Sequence, residues 1–393
     1  MLSAATFLVM AGQGVVAPVL PLYASEFGVS ASMVGLTLTV FALARLILNI
    51  PAGMIADRYG RRVLLVGGPV LTSIGMFGSA QAHTIWELLA WRFVAGAGSA
   101  FYMSGALIYL IDIASPEVRT RYVATNQWAL SVGVTLGPGI GGLVAARYGL
   151  ATPFYVVGAL AIVTATYAAF RLPETRGNNV ESTNQNQEPT ISTWTFLISR
   201  RFLLVALATA AIFMTRAGTR ATLIPLHAKN ALDWGPAPIG LVFTATGVMT
   251  LFTLMPSARA AERIGRRHVI AFSGVMAGLG ATIVALGANP TAFIIGNFVL
   301  SLGTGTAGPA PAAYVADIAP AGKRGLAVAL YRSAGDVGFL AAPPLLGLLS
   351  ETTSLSTALF TAGAIVAASG VIFYVGSRGV AAAGRAAASP APT

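Results

Sequence analysis

Apolar runs of roughly twenty residues, the length a helix needs to cross a bilayer core, recur along this chain with only short polar breaks between them. They predict transmembrane helices near 2–24, 31–56, 62–81, 86–112, 121–146, 151–171, 201–226, 236–258, 267–286, 290–317, 325–349 and 354–377. Charge content agrees. Only 9% of the residues are charged, where a soluble domain carries about 25% to maintain a wetted surface. The 44 glycines fit as well, because helices in lipid associate by close approach of small residues. The expected fold is an all-α membrane protein.

A formal net charge of +11 would ordinarily raise nucleic acid as a partner, but here the basic residues fall in alternate loops. With a cytoplasmic N-terminus, the inside segments hold seventeen Lys and Arg, from Arg58 to Arg385, and the outside loops hold only Arg147 and Lys229. The positive-inside rule then places both termini in the cytoplasm of a cell inner membrane. The first run, from Met1 to about Tyr23, lacks a charged leader and is long enough to span, so it reads as a helix rather than a secretory signal. Cysteine is absent, and His83, His227 and His268 have no metal-ligand spacing. Neither a nucleophile cluster nor a phosphate-cradling loop is present, so no enzyme, metal or cofactor is expected.

The segment 172–199 is polar and separates six spans from six. The predicted organisation is a first bundle over 1–171, a cytoplasmic linker over 172–199, a second bundle over 200–377 and a tail over 378–393. The bundles are related by one fixed offset of 205 positions. At that offset Asp57-Arg58-Tyr59-Gly60-Arg61-Arg62 meets Glu262-Arg263-Ile264-Gly265-Arg266-Arg267, Asp112 meets Asp317, Arg119 meets Arg324, and Gly133, Pro138 and Gly142 meet Gly338, Pro343 and Gly347. A duplicated six-helix unit is a transporter architecture, with its binding site between the repeats.

Gly53, Asp57, Arg58, Gly60, Arg61 and Arg62 in the loop after the second helix resemble the hallmark loop of the major facilitator superfamily. Gly53 is expected to permit close helix contact and Gly60 a tight turn. Asp57 is suited to cap a helix N-terminus or to pair with an arginine. The resemblance implies that this loop latches the cytoplasmic ends of the bundles, together with Asp112 and Arg119. It extends to Arg92 on the fourth helix, which in the family is associated with proton coupling, and to Leu172-Pro173-Glu174-Thr175 after the sixth. On the fifth helix Gly133, Gly137 and Gly141 share one face, and with Pro138 and Gly142 they resemble the antiporter motif of drug:proton exporters.

The implied function is proton-coupled efflux of small organic compounds or drugs by a monomer that alternates its access, with the lipid bilayer as its medium. Charges inside spans keep a second reading open. Arg45, Arg92, Arg216, Arg220 and Arg332 lie within spans, and Asp336 is the acid well inside one. Intramembrane ionisable groups are functional candidates, so Asp336 joins Arg92 as a proton-coupling candidate. Arg45, Arg216, Arg220 and Arg332, with Gln13 on the first helix, are candidates for the substrate cavity. A surplus of guanidinium favours oxyanions, which makes an organic-anion importer or exchanger the alternative. Arg332 and Asp336, four apart on one helix face, can pair and lower the cost of burial, though cation before anion is the weaker order. A receptor or scaffold on the same fold is the rival from another class.

Overall fold

The computed structural model describes residues 2–113, 116–175, 198–287, 289–308, 310–319 and 324–377. Among these, twelve helices are long and apolar enough to cross a membrane. They are α1 (Leu2–Ser25), α2 (Ala31–Tyr59), α3 (Arg61–Ala80), α4 (Ile85–Ile113), α5 (Pro116–Tyr148), α6 (Thr152–Arg171), α7 (Arg200–Leu232), α8 (Pro236–Arg263), α9 (Arg266–Leu286), α10 (Pro290–Ile318), α11 (Arg324–Thr352) and α12 (Leu355–Gly376). No strand occurs among the described residues. The all-α reading holds because a spanning backbone must satisfy its own N–H and C=O groups. Most of the linker and the whole tail lie outside the described residues.

Three helices depart from plain α-geometry. A turn interrupts α1 between Val16 and Leu20. Residues Thr215–Leu223 of α7 form a π-helix between two α-helical pieces. Breakers crowd both α10 and α11, but only α10 breaks, at Gly308 with φ +39°; α11 runs on through Pro343 and Pro344. Arg147 and Lys229, expected in loops, sit instead in the last helical turns of α5 and α7. Once nucleated, a helix lengthens past the hydrocarbon at little cost.

By contact the chain forms two compact units that cut across the sequence halves. The first takes in Met1–Asn184 together with Arg220–Val248 and Leu340–Leu355. Its core joins Val15, Val19, Leu20, Phe154 and Leu226, and Tyr102, fully buried, places its hydroxyl 3.0 Å from that of Thr6. At the end of α2 remote from Asp57, Gly35 presses on the backbone of Pro343. There Thr39 donates to the Leu340 carbonyl at 2.7 Å, and the Ser32 amide donates to Glu351 at 2.6 Å. The second unit, Gln185–Thr219, Met249–Phe339 and Ser356–Thr393, is centred on Phe202, Ile270, Val315 and Phe373.

The repeat reappears in the packing. Gly75 of α3 lies against Ala95 of α4, and Gly280 of α9 lies against Leu300 of α10, both at the 205-position offset. Gly98 against Thr72 and Gly303 against Ala277 repeat the same theme. Small residues let these backbones meet where lipid supplies no hydrophobic drive.

Candidate functional site

The turn between α2 and α3 is a single residue, Gly60 at φ +97°. A side chain there would be strained and would also meet the carboxylate of Glu174, whose Oε1 lies 2.8 Å from the ideal Cβ position. That carboxylate fills the place of a helix cap. It accepts from the amides of Arg61 at 2.9 Å and Arg62 at 3.1 Å, two of the unpaired N–H groups that begin α3. The negative charge also suits the positive end of the helix dipole.

Arg61 then turns inward. Its Nε donates to Asp112 Oδ2 at 2.7 Å and its Nη1 to the Ala56 carbonyl at 3.0 Å. The two side chains are 9% and 12% exposed, so this is a desolvated, charge-assisted pair. Thr175 adds a hydrogen bond to the same carboxylate oxygen at 3.1 Å, and Arg62 reaches the Ala169 carbonyl. Arg58 is exposed over the ring of Tyr59. The side chains of Asp57 and Arg119 lie outside what is described. Gly53, expected at a close helix contact, faces open space. Glu174 and Thr175 were visible in the sequence only as part of a recurrent motif. Glu174 meets α3 across more than a hundred positions and Thr175 meets Asp112 of α4 across 63, and no local pattern encodes either contact.

The copy at the offset of 205 repeats the arginine–aspartate pair and the second arginine's carbonyl contact, but its first arginine reaches a different carbonyl. Arg266 pairs with Asp317 and reaches the Ala313 carbonyl. Arg267 donates to the Tyr374 carbonyl at 2.7 Å with its guanidinium 4.0 Å over the ring.

On α5 the glycines serve two partners. Gly133, Gly137 and Gly141 face α1, where a methyl on Gly137 would fall 2.6 Å from the Ala11 carbonyl oxygen and the same distance from the Gly14 Cα. Gly142 faces Pro236 and Gly240 of α8, and the Gly139 amide, next to Pro138, donates to Thr244 Oγ1 at 2.7 Å. One bare stripe was expected. The structure shows two, because the second set of glycines lies a fraction of a turn around the helix.

The intramembrane polar groups scatter. Arg92 is 4% exposed, stacked 4.5 Å over Phe41, with the Thr37 carbonyl at 3.4 Å. Gln13 donates to Ser99 at 2.9 Å. Arg45 is partly buried. Arg220 donates to Thr246 at 3.0 Å and stacks on Phe243. Arg216 extends from α7 towards the Thr304 carbonyl at 3.4 Å and lies 5.3 Å over Phe213. Arg332 and Asp336 are exposed, and Arg332 forms no ion pair among the described residues. Cation before anion is the weaker order on a helix, and exposure weakens it further. The described residues contain no group of three metal-binding side chains. A cavity of about 690 Å³ lies near the clasp, lined by Tyr109, Tyr122, Arg171 and Pro173.

The profile described as Major Facilitator Superfamily matches residues 2–219 and again 205–391. The uncharacterized MFS-type transporter MJ1560 of Methanocaldococcus jannaschii is 25% identical over 377 residues, covering 94% of this chain and 95% of its own. The quinolone resistance protein NorA of Staphylococcus aureus is 25% identical over 349 residues, 88% of each chain. Among solved structures, a bacterial homolog of the human lysosomal transporter Spinster aligns with a TM-score of 0.81 at 16% identity, covering 96% of this chain and 95% of that one. The nucleoside transporter NupG aligns with 0.80 at 14% identity, over 96% and 99%.

Proposed function

This chain belongs to the Major Facilitator Superfamily, and on that premise we propose that it exports small organic compounds in exchange for protons by alternating access. Membership makes it a multi-pass membrane transporter of small molecules rather than an enzyme. The finer reading rests on one observation, the α5 glycine–proline segment seated tightly between α1 and the start of α8. Helices that meet backbone to backbone have few packed geometries, so a local shift moves them as rigid bodies. The NorA relative, named for quinolone resistance, supports export.

In this reading the protein is a monomer in the cell membrane with both termini in the cytoplasm. The Arg61–Asp112–Glu174 clasp lies on the cytoplasmic face and holds the hallmark loop in shape, with Asp57 and Arg119 as its partners. Contacts of α2 with Pro343, Leu340 and Glu351 support a state in which the opposite end is shut. Arg92, sealed from solvent and stacked on Phe41, positions α4 against α2. Asp336, exposed on α11, is the group that takes and gives the proton.

Everted vesicles under an imposed pH gradient test this. Adding a transported compound should alkalinise the acidified lumen, and Asp336→Asn should keep substrate binding while losing the pH response. A variant that still moves protons on substrate addition removes Asp336 from the coupling.

A further inference from the structure

Arg216 is the middle residue of the 33-residue span Arg200–Leu232. At 1.5 Å per residue it lies roughly 24 Å from either end, too far for its side chain to snorkel to an interface. Its neighbours Thr215, Ala217 and Thr219 are wholly buried, but Arg216 itself is exposed. A guanidinium at that depth faces water or a ligand, because hydrocarbon rejects it. The π-helical segment Thr215–Leu223 that carries it is an uncommon geometry that concentrates at functional sites.

Its surroundings leave it uncompensated. Among the described residues its polar contact is the Thr304 carbonyl at 3.4 Å, with the Phe213 ring on one side and no carboxylate in ion-pair range. One long hydrogen bond leaves most of the five N–H donors of the fork unspent. Arg92 and Arg220 differ. Arg92 is sealed from solvent, and Arg220 is taken up by Thr246 and Phe243.

We propose that Arg216, beside Phe213, is an anion subsite, and that the transported compound is an aromatic or apolar molecule carrying a carboxylate or equivalent oxyanion. The fork of the guanidinium matches a carboxylate bidentately, and the Phe213 ring receives the apolar body. A cationic drug is repelled from the same place. This inference names the substrate class of the export reading and rests on it.

The test is calorimetric titration of purified wild type, Arg216→Gln and Arg216→Lys with 1-naphthoate, its methyl ester and 1-naphthyltrimethylammonium, followed by flux of the same compounds in everted vesicles. Wild type should bind naphthoate about tenfold or more tighter than the ester, as expected of a desolvated charge-assisted pair, with the ammonium compound weakest. Arg216→Gln should bring naphthoate down to the level of the ester and leave ester binding unchanged. Arg216→Lys should retain part of the preference. No charge preference in wild type, or an undiminished one in Arg216→Gln, overturns the subsite. Binding that follows the pattern without proton-linked flux overturns export and leaves the subsite standing. Proton-linked flux without charge preference does the reverse.

Discussion

The turn between α2 and α3 and its copy between α8 and α9 carry the same contacts in different surroundings. In each, the first arginine of the new helix pairs with an aspartate on the helix after it, and the second reaches a carbonyl 107 positions on. The first pair is 9% and 12% exposed and the second is 31% and 55%. Among the described residues, only the first has its aspartate held by a threonine and its helix capped by a distant glutamate. Duplication preserved the wiring in both halves, whereas burial and capping strengthen it in one. A charge pair gains most where water is excluded and partners are complete, so the first turn is the rigid one and the copy the weaker.

The largest effect expected from this contrast is at Arg61. Arg61→Ala leaves Asp112 buried without its cation and should cost about 3 kcal/mol or more in thermal unfolding of the detergent-solubilised protein. Arg61→Lys should recover only part, since an ammonium lacks the fork that serves Asp112 and Ala56 together. Next is Glu174→Ala, which uncovers two amides at the start of α3 and should cost about 1 kcal/mol. Hydrogen exchange should rise at Arg61 and Arg62 before it rises elsewhere in α3. The smallest effect is expected for Arg266→Ala, below about 1 kcal/mol, because the exposed pair is screened by solvent. Equal losses for Arg61→Ala and Arg266→Ala would break the comparison. Intact transport in Arg266→Ala beside lost transport in Arg61→Ala would sharpen it.

Much of this was legible in the chain itself. A bilayer imposes a length on every span, so hydropathy located all twelve helices, and one fixed offset showed that the turn after α2 recurs after α8. Gly60 was readable because a one-residue turn leaves few alternatives to glycine. Less was legible where distant segments meet. The cap supplied by Glu174 and the second glycine stripe of α5 facing α8 depend on which helices become neighbours. The spacing of Arg216 and Arg220 reads as ordinary helix, but the segment is π-helical and its two arginines have different partners.

By itself, then, the sequence determined that the chain crosses a membrane twelve times, that its halves are copies and that arginine–aspartate turns recur in both. These follow from local composition and periodicity, which act on each segment independently. Tertiary packing decided which copy is buried and capped, which glycine faces which helix, and what each intramembrane arginine touches. Solvent exclusion and partner geometry belong to the assembled helices, and no single segment contains them.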